Sequence, residues 1–318
     1  MKLVALDAYT SNPGDLSWAG LRALGECIIY DRTAPDMIVE RSRDADALFI
    51  NKVIISREIM EALPKLRYIG ILATGFNIVD VAAAHELGIV VTNVPAYSTP
   101  SVAQLAIAHM LNIACQIQHY TDIVRDGTWC RNPDFSFRDT RIFEYAGKRM
   151  GIVGLGNIGS AVARIALAMD MSVMAYTSKP QEALPQGIEK AESLDQLMQV
   201  CDVISLHCPL NDDTRGMIDR RRLKMMKPTA ILINTSRGPL VVDQDLADAL
   251  NAGELYAAGL DVMGVEPPPA DDPLLTARNC FFTPHIGWTT TEARARLMDE
   301  IVKNYRAFLD GHPVNVVS

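Results

Sequence analysis

Residues 149–159 read Arg-Met-Gly-Ile-Val-Gly-Leu-Gly-Asn-Ile-Gly. Met150 to Val153 form a short apolar run with no polar alternation. A strand covered by helices on both faces has that character. Gly154, Gly156 and Gly159 then fall at the spacing G-x-G-x-x-G, with Leu155, Asn157 and Ile158 between them. The next residues place Ile158, Val162, Ile165 and Ala166 along one side of a helix. The glycine string by itself is weak, but set between a strand and a helix it describes a turn made for a dinucleotide. Gly154 permits the tight turn, Gly156 lets a pyrophosphate approach the backbone, and Gly159 lets the helix pack on the sheet. The helix N-terminus offers N–H groups and a positive dipole to the phosphates.

Short apolar runs alternate with helical patterns on both sides of this turn. Upstream, KLVALD, CIIY, ALFIN, YIGIL and GIVVTN read as strands, with DLSWAGLRALG, APDMIVERSR, SREIMEALP and IVDVAAAHELG as helices between them. Such alternation predicts a parallel α/β sheet. Downstream, RMGIVG, SVMAY, DVISLH, AILINT, AAGLDV and NCFFT read as the strands of a doubly wound unit. Between the two sets, SVAQLAIAHMLNIACQIQHYTDIVRDG reads as one long helix beginning after Pro100 and ending at Gly127. His109 and His119 sit on it as structural residues. The stretch that follows has no period, yet it carries Trp129, Phe135, Phe137 and Phe143. Four aromatics in one segment predict an arm that packs on something rather than a solvated linker. The final helix, TTTEARARLMDEIVKNYRAFLDG, returns to the first domain. The expected organisation is a first domain of residues 1–98 plus 287–318, with residues 99–286 inserted as the nucleotide-binding domain.

Three charged residues follow later strands of the downstream unit. Arg237 lies in INTSRGP, Glu266 in GLDVMGVEPPP and His285 in FFTPHIGW. Ligands of open α/β sheets bind beyond the carboxyl ends of strands, so all three should line the dinucleotide crevice. Together they suit hydride transfer to a 2-keto acid. An Arg fork matches the carboxylate. A His titrating near neutrality can give the proton that the developing alkoxide needs, and take it back in reverse. A carboxylate beside that His fixes its tautomer and stabilises the imidazolium.

About twenty residues after a glycine-rich turn, an NAD-binding unit usually places an Asp or Glu for the ribose hydroxyls. Here Val173–Pro180 reads VMAYTSKP, with no acid. Thr177 removes the repulsion an Asp would exert on a 2′-phosphate, Ser178 can donate to one, and Lys179 adds a positive charge. The patch favours NADP(H), with NAD(H) possible.

The bulk properties exclude several other classes. The chain has 318 residues, 49% hydrophobic and 21% charged, enough for two packed domains. A net charge of −8 and a pI of about 5.3 speak against a nucleic-acid surface. The six cysteines form no C-x-x-C pair, so neither a zinc site nor a disulfide framework is expected and no metal is assigned. Reduced thiols, an N-terminus too short and too early charged for a signal peptide, and no long apolar window predict a cytoplasmic protein without a membrane span.

The motifs GIVGLGNIG, HCPLNDDTRGMI, MMKPTAILINTSRGPLVVDQDL, AAGLDVMGVEPPP and TPHIGW resemble those of the D-isomer-specific 2-hydroxyacid dehydrogenases, over essentially the whole length. The resemblance implies a Rossmann NAD(P)-binding domain inserted into a flavodoxin-like substrate domain, both doubly wound parallel sheets. It implies that Arg237 binds the substrate carboxylate, that His285 is the acid/base with Glu266 as its partner, and that Asp261 lies near the nicotinamide carboxamide. Besides Gly154–Gly159 and residues 177–179, the cofactor would meet Cys208, Pro209, Thr214, Thr235, Ser236, Arg237, Asp261, His285 and Gly287. The substrate would meet Asn51, Lys52, the backbone of Ala73, Thr74 and Gly75, Arg237, His285 and Trp288. The long helix and arm, residues 100–145, resemble dimerisation elements and imply a homodimer. Within the family, NVPAYSTPSVAQ, FINKVII and PHIGWTTTEARARL look most like glycerate dehydrogenases, also called hydroxypyruvate reductases. Reductases of the glyoxylate, D-lactate or phosphoglycerate type remain alternatives, as does a non-catalytic NAD(P)-sensing protein on the same scaffold.

Overall fold

The structure, a computed structural model, describes residues 1–318. The chain divides into two compact units, Met1–Ser98 with Thr289–Ser318, and Thr99–Trp288. Gly287 and Trp288 thus go with the second unit.

The first unit carries β1 (Lys2–Ala5), β2 (Glu26–Ile29), β3 (Ala47–Ile50), β4 (Tyr68–Ile71) and β5 (Val90–Thr92). All pair in parallel, in the order β2-β1-β3-β4-β5. β3 and β4 are buried at every position, as their unbroken apolar sequence requires. The helices are short: α1 (Ala19–Arg22), α2 (Ile38–Ser42), α3 (Arg57–Glu61) and α4 (Val81–Glu86). The helix expected from Asp15 shrinks to α1 because Asp15 does not cap it. Its carboxylate instead takes both guanidinium ends of Arg294, at 2.7 and 2.6 Å. Arg294 belongs to the C-terminal helix, Thr291–Leu309. That helix packs into this unit through Tyr305, whose ring lies 5.0 Å from Tyr68 and 5.5 Å from Phe49.

The second unit opens with α5 (Thr99–Cys115) and α6 (Ile117–Arg125). The single long helix expected here is two helices, and α5 begins before Pro100 rather than after it. The break is at Gln116, which takes a left-handed backbone (φ 51°, ψ 41°) and donates its side-chain amide to the Ile113 carbonyl. No Gly or Pro marks this break in the sequence. Packing explains it: α5 buries nine residues, whereas α6 buries none. The strands are β6 (Arg149–Val153), β7 (Ser172–Tyr176), β8 (Ile188–Lys190), β9 (Val203–Leu206), β10 (Ile231–Asn234), β11 (Ala257–Leu260) and β12 (Cys280–Phe282). They form one parallel sheet in the order β12-β11-β10-β9-β6-β7-β8. The seventh strand, β8, is a three-residue edge element that the sequence pattern did not reveal. Four helices complete the unit: α7 (Asn157–Ala168), α8 (Leu194–Val200), α9 (Arg220–Leu223) and α10 (Asp243–Asn251). Strand order reverses between β6 and β9, so the crevice for a ligand opens beyond their carboxyl ends. No helix of the chain is long and apolar enough to cross a membrane.

Candidate active site

The glycine turn lies at that reversal, and each glycine has a separate reason. Gly154 has φ +94°, and a Cβ on it would come within 2.7 Å of the Cys208 nitrogen on the loop after β9. A Cβ on Gly159 would lie 2.1 Å from the Gly154 carbonyl, so α7 could not seat against the turn. A Cβ on Gly156 would meet nothing within 4 Å. Packing therefore demands the outer two glycines, whereas the middle one faces open space. Gly156 also starts α7 without a side-chain cap, and no acid stands in the first turn. The Asn157 and Ile158 N–H groups are thus left for an anion. Across the reversal, Thr235 is buried with a hydroxyl that has no partner in the chain. An open cradle, uncapped amides and an orphan hydroxyl at one sheet end fit a dinucleotide.

The loops after β9 and β10 are tied together. Ser236 donates its hydroxyl to the Cys208 carbonyl at 2.7 Å. Thr214 donates to the Pro209 carbonyl at 2.8 Å and closes the segment between them. Buried Asn234 donates to the Arg237 carbonyl at 2.9 Å and accepts from Ser236 N–H, which sets the Arg237 turn. The Arg237 guanidinium is exposed and touches only the Ser236 carbonyl, at 2.7 Å. Gly238 lets this turn reach the loop after β11, for a Cβ there would fall 1.8 Å from the Met263 carbonyl. Sequence reading missed Asn234 and Gly238, because their roles lie in contacts rather than in residue type.

The loops after β11 and β12 bring Glu266 and His285 into contact. Glu266 Oε2 lies 2.6 Å from His285 Nδ1, and Oε1 accepts from Met263 N–H at 3.1 Å. A carboxylate against Nδ1 makes that nitrogen the donor and leaves Nε2 as the ring nitrogen open to a ligand. His285 itself has a left-handed backbone (φ +54°). Such a conformation costs energy in a non-glycine residue and persists where its surroundings fix it. Asp261 supplies that fixing. Its carboxylate, 2% exposed, accepts from Thr283 Oγ1 at 2.6 Å and from the N–H groups of Ile286 and Gly287 at 2.8 and 2.9 Å. Trp288 follows, half-buried.

At the far side of the sheet, beyond β7, Thr177 and the exposed Ser178 and Lys179 form a turn. Lys179 Nζ donates to the Leu155 carbonyl at 2.8 Å, so its charge stands over the glycine turn. A second ammonium is present: Lys190 Nζ, from β8, donates to the Lys179 carbonyl at 2.7 Å. Its place depends on β8, which explains why the sequence did not point to it.

In the first unit, Asn51 is buried, and its amide is engaged at both ends, accepting from Thr10 at 3.2 Å and donating to the Leu72 carbonyl at 2.7 Å. Lys52 is exposed. The Ala73–Gly75 loop is pinned by Thr74 Oγ1 on the Val94 carbonyl and by Asn93 on the Thr74 carbonyl. No acceptor of the chain takes the Thr74 and Gly75 N–H groups. No group of three or more His, Cys, Asp or Glu that could hold a metal occurs.

Residues 107–287 match the family model described as D-isomer specific 2-hydroxyacid dehydrogenase, NAD binding domain. The chain belongs to the D-isomer-specific 2-hydroxyacid dehydrogenase family. It is therefore an oxidoreductase of that family, with a nicotinamide-dinucleotide domain of Rossmann type. Over the full length of both chains it is 50% identical to the hydroxypyruvate reductase of Blautia hydrogenotrophica. It is 39% identical to the glycerate dehydrogenase of Methylorubrum extorquens, over 91% of this chain and 90% of that one. The crystal structure of an NADPH-dependent glyoxylate/hydroxypyruvate reductase from Sinorhizobium meliloti is similar with a TM-score of 0.86 and 26% identity. It covers 100% of this chain and 97% of that one.

Proposed function

We propose that this dehydrogenase reduces hydroxypyruvate to D-glycerate with NADPH as the preferred reductant. The observation that carries the reaction type is the 2.6 Å His285–Glu266 pair standing beyond β11 and β12 of the dinucleotide unit. Bound, the nicotinamide supplies the hydride. Arg237 holds the substrate carboxylate through its fork. His285 Nε2 gives its proton to the C2 oxygen while C2 receives the hydride, so a ketone becomes a secondary alcohol. Glu266 keeps the imidazolium oriented before transfer. Lys52 serves the hydroxymethyl end, and buried Asn51 acts by fixing the loop from which Lys52 projects. The full-length relative named hydroxypyruvate reductase supports this substrate over glyoxylate, D-lactate or phosphoglycerate.

The NADPH preference rests on the acid-free turn at Thr177 and on the Lys179 ammonium beside Leu155. Thr177→Asp places a carboxylate where the 2′-phosphate belongs and should move the NADPH/NADH ratio of kcat/KM toward NADH by about tenfold or more, roughly the weight of one charge-assisted hydrogen bond. An unmoved ratio refutes the preference. The protein works in the cytoplasm as a homodimer, joined through α6 and the arm that follows. Phe135 at 91% exposure, Ile117 at 65% and Trp129 at 48% leave an apolar surface there that a second copy would cover. The test of function is absorbance at 340 nm with a panel of 2-keto acids and both reduced cofactors. Fastest turnover of another keto acid would replace the substrate, and no turnover of any would favour a sensing role.

A further inference from the structure

His109 lies in the middle of α5, buried, and the catalytic scheme above does not use it. Nothing in its sequence surroundings distinguishes it from a packing residue, and a structural role is what the sequence predicted. Its contacts are specific. His109 Nε2 lies 3.0 Å from Thr283 Oγ1, which lies 2.6 Å from Asp261 Oδ1. The directions follow from proton counting. Asp261 also receives two backbone N–H groups, so it is the acceptor, and the one hydroxyl proton of Thr283 goes to it. The Thr283 oxygen then has only lone pairs for His109, so His109 must donate from Nε2. Burial holds the His109 pKa below its ordinary value, with Asp261 opposing from nearby. Nε2 therefore carries a proton, and burial favours the uncharged ring.

The receiving group is Asp261, which fixes the segment around His285. α5 fastens that segment at a second point, where Ser101, two turns before His109, donates to the Gly287 carbonyl. Gly259 makes the approach possible, since a Cβ there would fall 2.8 Å from the His109 Cβ. We infer that His109 is a positioning residue for proton transfer at His285, acting through Thr283 on the Asp261 carboxylate that holds the N–H groups of Ile286 and Gly287. The inference rests on His285 being the acid/base.

Purified full-length variants with the donor removed (His109→Leu), the donor replaced (His109→Gln) and the relay interrupted (Thr283→Val) test it. Read kcat, KM for hydroxypyruvate, cofactor affinity, the pH profile of kcat/KM and the melting temperature. His109→Leu and Thr283→Val should each lower kcat roughly ten- to a hundredfold through misplacement of the His285 ring, and should move the profile's inflection, with cofactor affinity little changed. The double variant should lose no more than the worse single, because both break one relay. His109→Gln, whose amide can donate, should recover most of kcat. A lowered melting temperature with kcat and inflection intact means packing alone and overturns the inference. So does a double loss equal to the product of the two singles. Should His109→Leu fail to fold, Thr283→Val and Thr283→Ser decide, the second expected to keep activity. His285→Ala separates the premise: undiminished kcat there overturns the acid/base reading itself, whatever His109 does.

Discussion

The two sheets are built alike and used differently. Both are parallel, and both place polar residues just past their strand ends. Past β3 of the first unit those groups are engaged in holding the chain. The Asp7 carboxylate accepts the N–H groups of Asn51, Lys52 and Val53, at 2.8, 2.5 and 3.0 Å, and the Asn51 amide is bonded on both sides. The Lys52 side chain is exposed beside them. Past β10, β11 and β12 of the second unit the holding is done by Asn234, Asp261 and Thr283, and the proposed roles of Arg237 and His285 rest on that support. A loop that offers reactive side chains needs a second set of polar groups behind it; a loop that offers N–H groups needs only to be pinned.

This contrast ranks the expected effects. His285→Ala should cost kcat about 10²- to 10⁴-fold, the usual weight of a general acid, while cofactor affinity stays near its starting value. Stopped-flow hydride transfer and cofactor titration check both halves. Arg237→Lys keeps the charge but loses the fork, so KM for keto acids should rise by about tenfold or more. Steady-state kinetics with KM unaltered would remove Arg237 from carboxylate binding. Asp7→Asn withdraws a charged acceptor from three N–H groups and should raise KM only a few-fold with kcat held, since it loosens a positioning loop. A kcat loss as deep as that of His285→Ala would erase the contrast between the units.

The smallest effect is on stability against pH. Burial lowers the His109 pKa, and it lowers that of His207, beside Ser205 in the same unit, to about 4. An unfolded His binds its proton near 6.5. Between these values the unfolded chain binds more protons than the folded one, so stability is fullest above about pH 6.5 and declines as pH falls toward 4. Melting temperature measured across that range should decline, and His207→Asn should flatten the slope. A flat profile in the parent chain would show that neither ring stays neutral.

The fold class, the glycine turn and the positions of Arg237, Glu266 and His285 just past three strands were legible in the sequence. These are local signals: an apolar run, a glycine spacing, a charged residue a few positions past a strand. It also placed the C-terminal helix with the first domain by its position in the chain. It misread what depends on partners. Gln116 breaks a helix with no Gly or Pro to announce it, because α5 is buried where α6 is not. β8 is too short for a period, and without it Lys190 has no visible place. Asn51 looks like a ligand group until its amide is found bonded to Thr10 and Leu72. His109 and Thr283 stand 174 residues apart, and only the sheet brings α5 against the end of β12. Hydrogen-bond direction is set by which donors and acceptors meet, and that is decided by packing, where sequence spacing carries no information.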